Sequence, residues 1–280
     1  MHRRKGVPKI GLVLLVAAGL AGAVGCNKLR SRDLINRGVQ AYKEAQYDKA
    51  EADLRQAAEL DPANVDARLF LAAAYAGQFV KGSTAPENIR KGQEAIAQYK
   101  KVLEIDPNNL NAISSIGSIL FNLGAGPPPN PETLTEAKTW QRKVIALKPD
   151  DPTPYYWIGV IDWSMAYRAN QDLRQKYNEH LPRRAKPLQA GDPLPEKLRA
   201  EFAAKYQQTV DEGIQALQKA IQLKPDYADA VAYLNILDRQ KADMAASKDE
   251  RDALLKEANA LANRYNEIQQ SHSGAPAPTH

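Results

Sequence analysis

The chain repeats one pattern four times: a small residue, a second small residue seven positions on, then a proline five further. The copies are Ala50, Ala57, Pro62; Ala95, Val102, Pro107; Ala137, Val144, Pro149; and Gly213, Ala220, Pro225. Ten residues after each of the first three prolines comes another small residue, Ala72, Gly117 and Gly159. Each proline closes an apolar-periodic stretch such as AAELDP or AIQLKP, where its ring cannot continue a helical hydrogen-bond ladder. Internal repetition on this scale signals stacked supersecondary units rather than one large core, so 280 residues do not require two domains.

The spacing within a copy predicts a pair of short antiparallel helices. Leu34, Gly38, Ala41 and Tyr42 share one helical face and Ala50, Leu54, Ala57 and Leu60 another, with Gln46, Tyr47 and Asp48 turning between them. Small residues at Gly38, Ala50 and Ala57 let the two axes approach closely. The pattern resembles the tetratricopeptide repeat, whose small-small-small-proline spacing matches Gly38, Ala50, Ala57 and Pro62 in a unit of about 34 residues. The fold expected is therefore an all-α superhelix (solenoid) of that type. Repeats are placed at about 33–64, 65–109, 110–151 and 152–227, with a degenerate fifth copy and capping helix over 228–270 and a disordered polar tail at 271–280. The fifth copy has Asn235 at a small position, and Leu254, Ala258, Leu261, Tyr265 and Ile268 form the face of the cap.

Successive prolines lie 45, 42 and 76 residues apart, so repeats two to four carry surplus chain. The small-residue-to-proline spacing is unchanged, which puts the surplus between the two helices of each pair. Thr84, Ala85, Pro86, Glu87 read as a capping box and Asn130, Pro131 as N-cap and N1 of restarted helices. In the fourth repeat both helices lengthen into an extended hairpin, predicted to project about 15 Å beyond its neighbours. Its tip, LPRRAKPLQAGDPLP, gathers Arg183, Arg184 and Lys186. Two readings of this basic tip stay open: a solvated loop, or contact with anionic lipid or an acidic partner.

Met1–Gly25 joins a basic start (Arg3, Arg4, Lys5, Lys9) to the apolar run Ile10–Val24, as a signal peptide does. Without it the chain has 34 Lys and Arg against 33 Asp and Glu, so charge gives no argument for nucleic acid. The lone cysteine, Cys26, follows the apolar run directly, and the segment resembles a bacterial lipobox, with Ala23 where leucine is usual. That resemblance implies a lipoprotein signal peptide (1–25), lipidation at Cys26 and a tether over 26–32. The alternative is an ordinary A-x-A cleavage at Ala21, Gly22, Ala23 or a retained leader. Asn27 after the cysteine fits outer-membrane sorting. The expected location is the bacterial envelope, lipid-anchored and facing the periplasm.

No catalytic constellation, cofactor motif or metal-ligand spacing is present in the sequence. The tetratricopeptide resemblance implies instead a partner-binding groove lined by the first helix of each repeat. Its candidate residues are Ile35, Val39 and Tyr42; Asn111, Ser114, Ser118, Phe121 and Asn122; and Tyr156, Val160 and Trp163. Ile35 and Val39 depart from the lysine and asparagine of the carboxylate-clamp subtype, which disfavours chaperone-tail recognition. The competing reading is that the aromatics pack the long hairpin and the Asn/Ser stripe faces water. The function expected is a non-catalytic, lipid-anchored scaffold or adaptor for other proteins. The alternative is a structural or regulatory subunit of an envelope complex, resembling lipoproteins of outer-membrane protein insertion or pilus assembly.

Overall fold

In a computed structural model describing residues 10–273, with side chains over 26–272, the fold is all-α and of the tetratricopeptide-repeat solenoid type, with no strand among the described residues. Its helices are α1 (Ile10–Lys43), α2 (Tyr47–Leu60), α3 (Val65–Gln78), α4 (Pro86–Ile105), α5 (Leu110–Gly124), α6 (Pro131–Leu147), α7 (Pro152–Glu179), α8 (Glu196–Leu223), α9 (Ala228–Ala242) and α10 (Lys248–Ser273). The chain divides into two compact units, Met1–Ile119 and Leu120–His280, the division falling in α5.

The repeated prolines end helices in one recurring way. Asp61, Asp106, Lys148 and Lys224 each precede a proline, and their N–H groups donate to the carbonyls of Ala57, Val102, Val144 and Ala220. Those acceptors are the second small residue of every copy. The last helical bond thus forms just before the ring that forbids the next one. Ala50, Ala57, Ala72, Ala95, Val102, Ala137 and Ala220 are fully buried.

Close approach is tightest where helix A carries glycine opposite a leucine of helix B. A Cβ on Gly38 would lie 2.5 Å from Leu54 Cγ, and one on Gly159 2.3 Å from Leu217 Cγ. Around these contacts the first unit buries Leu34, Ala57, Ala58 and Ala67 together. The second unit builds a larger core from Ala166, Phe202, Val210, Leu217, Val231 and Leu237.

The paired helices are joined by the segments 79–85, 125–130 and 180–195, and the rest of the surplus lengthens helices, α4, α7 and α8 above all. Asn130 caps α6, accepting from Thr133 N–H, with Pro131 at N1. Thr84 does not cap α4. Ala85 occupies the N-cap and Pro86 supplies the preset backbone angle, while Asn88 organises the loop by accepting from Val80 N–H and donating to the Val80 and Ser83 carbonyls.

Both helices of the fourth pair have 28 residues, about 42 Å each. Their tip is folded back and pinned. Arg174, 4% exposed, donates to the Gln189 and Asp192 carbonyls and pairs with Asp243 at the end of α9. Asn178 holds both the N–H and the carbonyl of Leu188, Arg251 of α10 donates to the Gly191 carbonyl, and Leu194 is buried. Four prolines exclude a helix there, but side-chain bonds to backbone groups replace the missing ladder.

The degenerate fifth copy still makes a helix pair. Asn235 donates to the backbone carbonyl of Ala258, so the residue that broke the small-residue pattern is a cross-helix tie. At the other end, α1 runs unbroken through 26–32, the segment expected as a tether. Within it Ser31 is fully buried and donates to the Ala57 carbonyl at 2.9 Å.

Candidate functional site

The groove candidates divide between the two units. In the first, Ile35, Val39 and Tyr42 are partly exposed on α1. Ile35 packs against the Leu34 cluster, and Tyr42 meets Tyr47 edge-on at 5.8 Å. Asn111 and Ser114 are exposed on α5 and Ser118 partly so.

In the second unit the aromatic candidates come together. Phe121 at the end of α5 lies 5.3 Å from Trp157 on α7, which lies 5.4 Å from Tyr156. Tyr156 continues to Tyr227 at 5.0 Å and Tyr233 on α9 at 5.7 Å; Tyr233 reaches Trp163 at 5.1 Å, and Trp163 stacks on Tyr167 at 5.3 Å. All seven rings are partly exposed. The local cause is register. Tyr156 and Trp163 are seven residues apart on α7, two helical turns, and α9 packs against α7 with Tyr233 between them. Asn122 lies beside Phe121 and is partly exposed, whereas Val160 is 2% exposed and offers no surface.

Trp157, Tyr167, Tyr227 and Tyr233 complete this strip and are not among the groove candidates read from the sequence. A signal existed: Tyr233 stands eight residues after Pro225 as Trp157 stands eight after Pro149, the same helix-A register, but the loss of pattern at Asn235 masked it.

Burial, reinforced by Tyr233 and Asp229, pushes the Tyr156 phenol upward; burial and then Asp229 and Asp151 push Tyr227 up to about 12; burial and Asp229 raise Tyr233. The three hydroxyls therefore stay neutral at physiological pH. Lys224 lies over the Tyr227 ring at 5.1 Å, and the Trp163 indole N–H has no hydrogen-bond partner. Chemically the strip is a run of ring faces and neutral phenols, suited to apolar and proline-bearing chain rather than to proton transfer.

Arg183, Arg184 and Lys186 are exposed on the pinned tip loop. Cys26 is exposed on α1, with Leu29 beside it 65% exposed; residues 1–9 lie outside the described residues. Among the described residues no helix is long and apolar enough to cross a membrane. No group of three or more His, Cys, Asp or Glu there could hold a metal.

The tetratricopeptide-repeat family model matches residues 35–64 and 79–109. No curated protein sequence matches the chain. Among solved structures it is similar to MamA at 17% identity and TM-score 0.57, covering 90% of this chain and 98% of that one. A MamA from Desulfovibrio magneticus RS-1 gives 17% and 0.55, covering 86% and 96%. The chain is also similar to YrrB, described as a TPR protein with an unusual peptide-binding site, at 15% and 0.51, covering 90% and 97%. These likenesses establish the class of fold, a tetratricopeptide-type α-helical repeat protein.

Proposed function

We propose that the chain is a non-catalytic scaffold that recruits or assembles other proteins, lipid-anchored through Cys26 at the bacterial envelope and facing the periplasm from the outer membrane. The observation that carries it is the aromatic strip from Phe121 to Tyr167, where residues from α5, α7 and α9 form one partly exposed apolar surface. Rigid aromatic anchors dominate interface energetics because they bury much area at small conformational cost. An extended segment of a partner protein fits such a face, and the peptide-binding site described for YrrB supports the reading.

The test is affinity capture of the chain from its native envelope, with mass spectrometry of what co-purifies. Partners retained by the wild type and by Tyr156→Phe with Tyr233→Phe should be depleted about tenfold or more by Tyr156→Ala with Tyr233→Ala, since each lost anchor is worth roughly 1–2 kcal/mol. Full retention by the alanine pair refutes the strip as the docking site.

A second reading, a permanent subunit of an envelope complex held through the hairpin, is favoured by the exposure of Arg183, Arg184 and Lys186 on a tip whose following residues, Leu188, Gln189 and Asp192, are bonded to α7. In the same capture it predicts a stoichiometric complex that survives high salt and both tyrosine pairs.

A further inference from the structure

Within α1 the stretch 26–32 carries Lys28, Arg30 and Arg32 and no Asp or Glu. All three cations are exposed, and no ion pair joins any of them to another described residue. Arg37, the next cation along the helix, is by contrast held by Asp53 of α2 at 2.7 Å. Asp33, the first carboxylate after the stretch, is exposed as well and leaves the local balance positive.

Packing fixes how these side chains are displayed. Ser31 is fully buried with its hydroxyl on the Ala57 carbonyl at 2.9 Å, and Leu34 is 4% exposed, so the two mark the face of α1 turned to the rest of the first unit. At about 100° per residue, Leu29 and Arg32 fall on the opposite face, and Lys28 and Arg30 stand to either side of Leu29. Leu29 is 65% exposed. An apolar side chain ringed by unpaired cations is unfavourable in water and matches a lipid surface, where the leucine enters the headgroup boundary and the cations meet phosphate oxygens. The long stems of Lys28, Arg30 and Arg32 let their charged heads stay at headgroup level while Leu29 goes deeper. The shape agrees, because a single convex helix ridge fits a plane, whereas an extended peptide needs a groove or a sheet edge.

We propose that the face formed by Lys28, Leu29, Arg30 and Arg32 lies on an anionic phospholipid surface, with the cations on headgroup phosphates and Leu29 at the acyl boundary. This rests on the preceding reading of an anchor at Cys26 for what brings the face to a membrane. It deepens that reading, because α1 is docked on α2 and the contact therefore sets how the first unit lies on the bilayer.

The experiment measures co-sedimentation of the purified full chain with vesicles of phosphatidylcholine alone and of phosphatidylcholine mixed two to one with phosphatidylglycerol. All arms carry Cys26→Ser, so that acyl chains do not mask the difference, and circular dichroism verifies helix content. The chain with all three cations should bind the mixed vesicles roughly a hundredfold more tightly at about 0.1 M salt, each cation near the surface giving about fivefold, and lose most of that gain at about 1 M. Lys28→Gln, Arg30→Gln and Arg32→Gln together should erase the gain. Leu29→Ser should weaken binding about tenfold at either salt, because apolar burial is not screened. A triple glutamine variant that keeps the gain overturns the inference, as does a gain removed by Arg183→Gln, Arg184→Gln and Lys186→Gln instead. Soluble polyglutamate bound as tightly as the mixed vesicles makes an acidic protein the occupant and also overturns it. The anchor is read separately, from the intact mass of the wild type. An acylated Cys26 without any phosphatidylglycerol gain leaves the anchor and removes the face; an unmodified Cys26 with the gain retained removes the anchor and not the face.

Discussion

Asp162 on α7 is fully buried, with Lys138 of α6 donating to one carboxylate oxygen at 2.6 Å and to Glu212 of α8 at 3.0 Å. The other oxygen, Oδ2, has no partner. Burial pushes this carboxyl up to about 7, outweighing the Lys138 charge, while the Lys138 and Arg142 bonds hold Glu212 below its ordinary value. A carboxyl raised in the folded state stabilises the fold while it keeps its proton and loses that contribution as pH rises through the folded value; Glu212 acts with the opposite sign at lower pH. The stability difference between wild type and Asp162→Asn, from urea unfolding at pH 4 to 8, should shift against the wild type by roughly 4 kcal/mol between pH 4 and 7 and then level off. A pH-independent difference would remove the charge account. Nothing in the sequence pointed to this cluster, because its members are separated by 24 and 74 residues and become neighbours only through packing.

Helix pairs are set by local pattern, and there the sequence was most legible. Small residues seven apart and a proline five further located the ends of α2, α4, α6 and α8, since periodicity and ring sterics act within a few turns. The contact of α7 with α8 shows how strict the small positions are. Alanine at Gly159 gains about 1 kcal/mol of helix propensity, but its Cβ would meet Leu217 Cγ at 2.3 Å and both Cδ atoms at 2.8 Å. Leu217 is fully buried and has no room to yield. Overpacking therefore outweighs propensity, and Gly159→Ala should destabilise by roughly 1–2 kcal/mol in denaturant unfolding. Leu217→Ala alone should cost about 2–5 kcal/mol. The double variant should be less destabilised than the sum, because one truncation clears the other's clash. Strict additivity would mean the contact is already relaxed. Thr84 shows the limit of local pattern: a capping box was written in the sequence, yet Pro86 at N1 and the Asn88 bonds decided where α4 begins.

For the whole molecule, the anchoring at Cys26 is a proposal that mass can decide. Intact mass of membrane-extracted protein should show Cys26 as an acylated first residue, and Cys26→Ser should release the chain from the membrane fraction about tenfold or more, one acyl chain alone holding only marginally. An unmodified thiol at Cys26 ends the lipoprotein reading. Because α1 is helical through 26–32 and Ser31 is tied to Ala57, an anchor there would sit on a docked helix. By itself the sequence determined the helix pairs, their breaks and the sites of surplus chain, because those follow from side-chain size, period and proline sterics over short spans. Tertiary structure alone decided the aromatic strip, the buried Lys138–Asp162–Glu212 group and the pinning of the hairpin tip by Arg174. Each of these joins groups far apart in the chain, and no short-range pattern records which of them will meet.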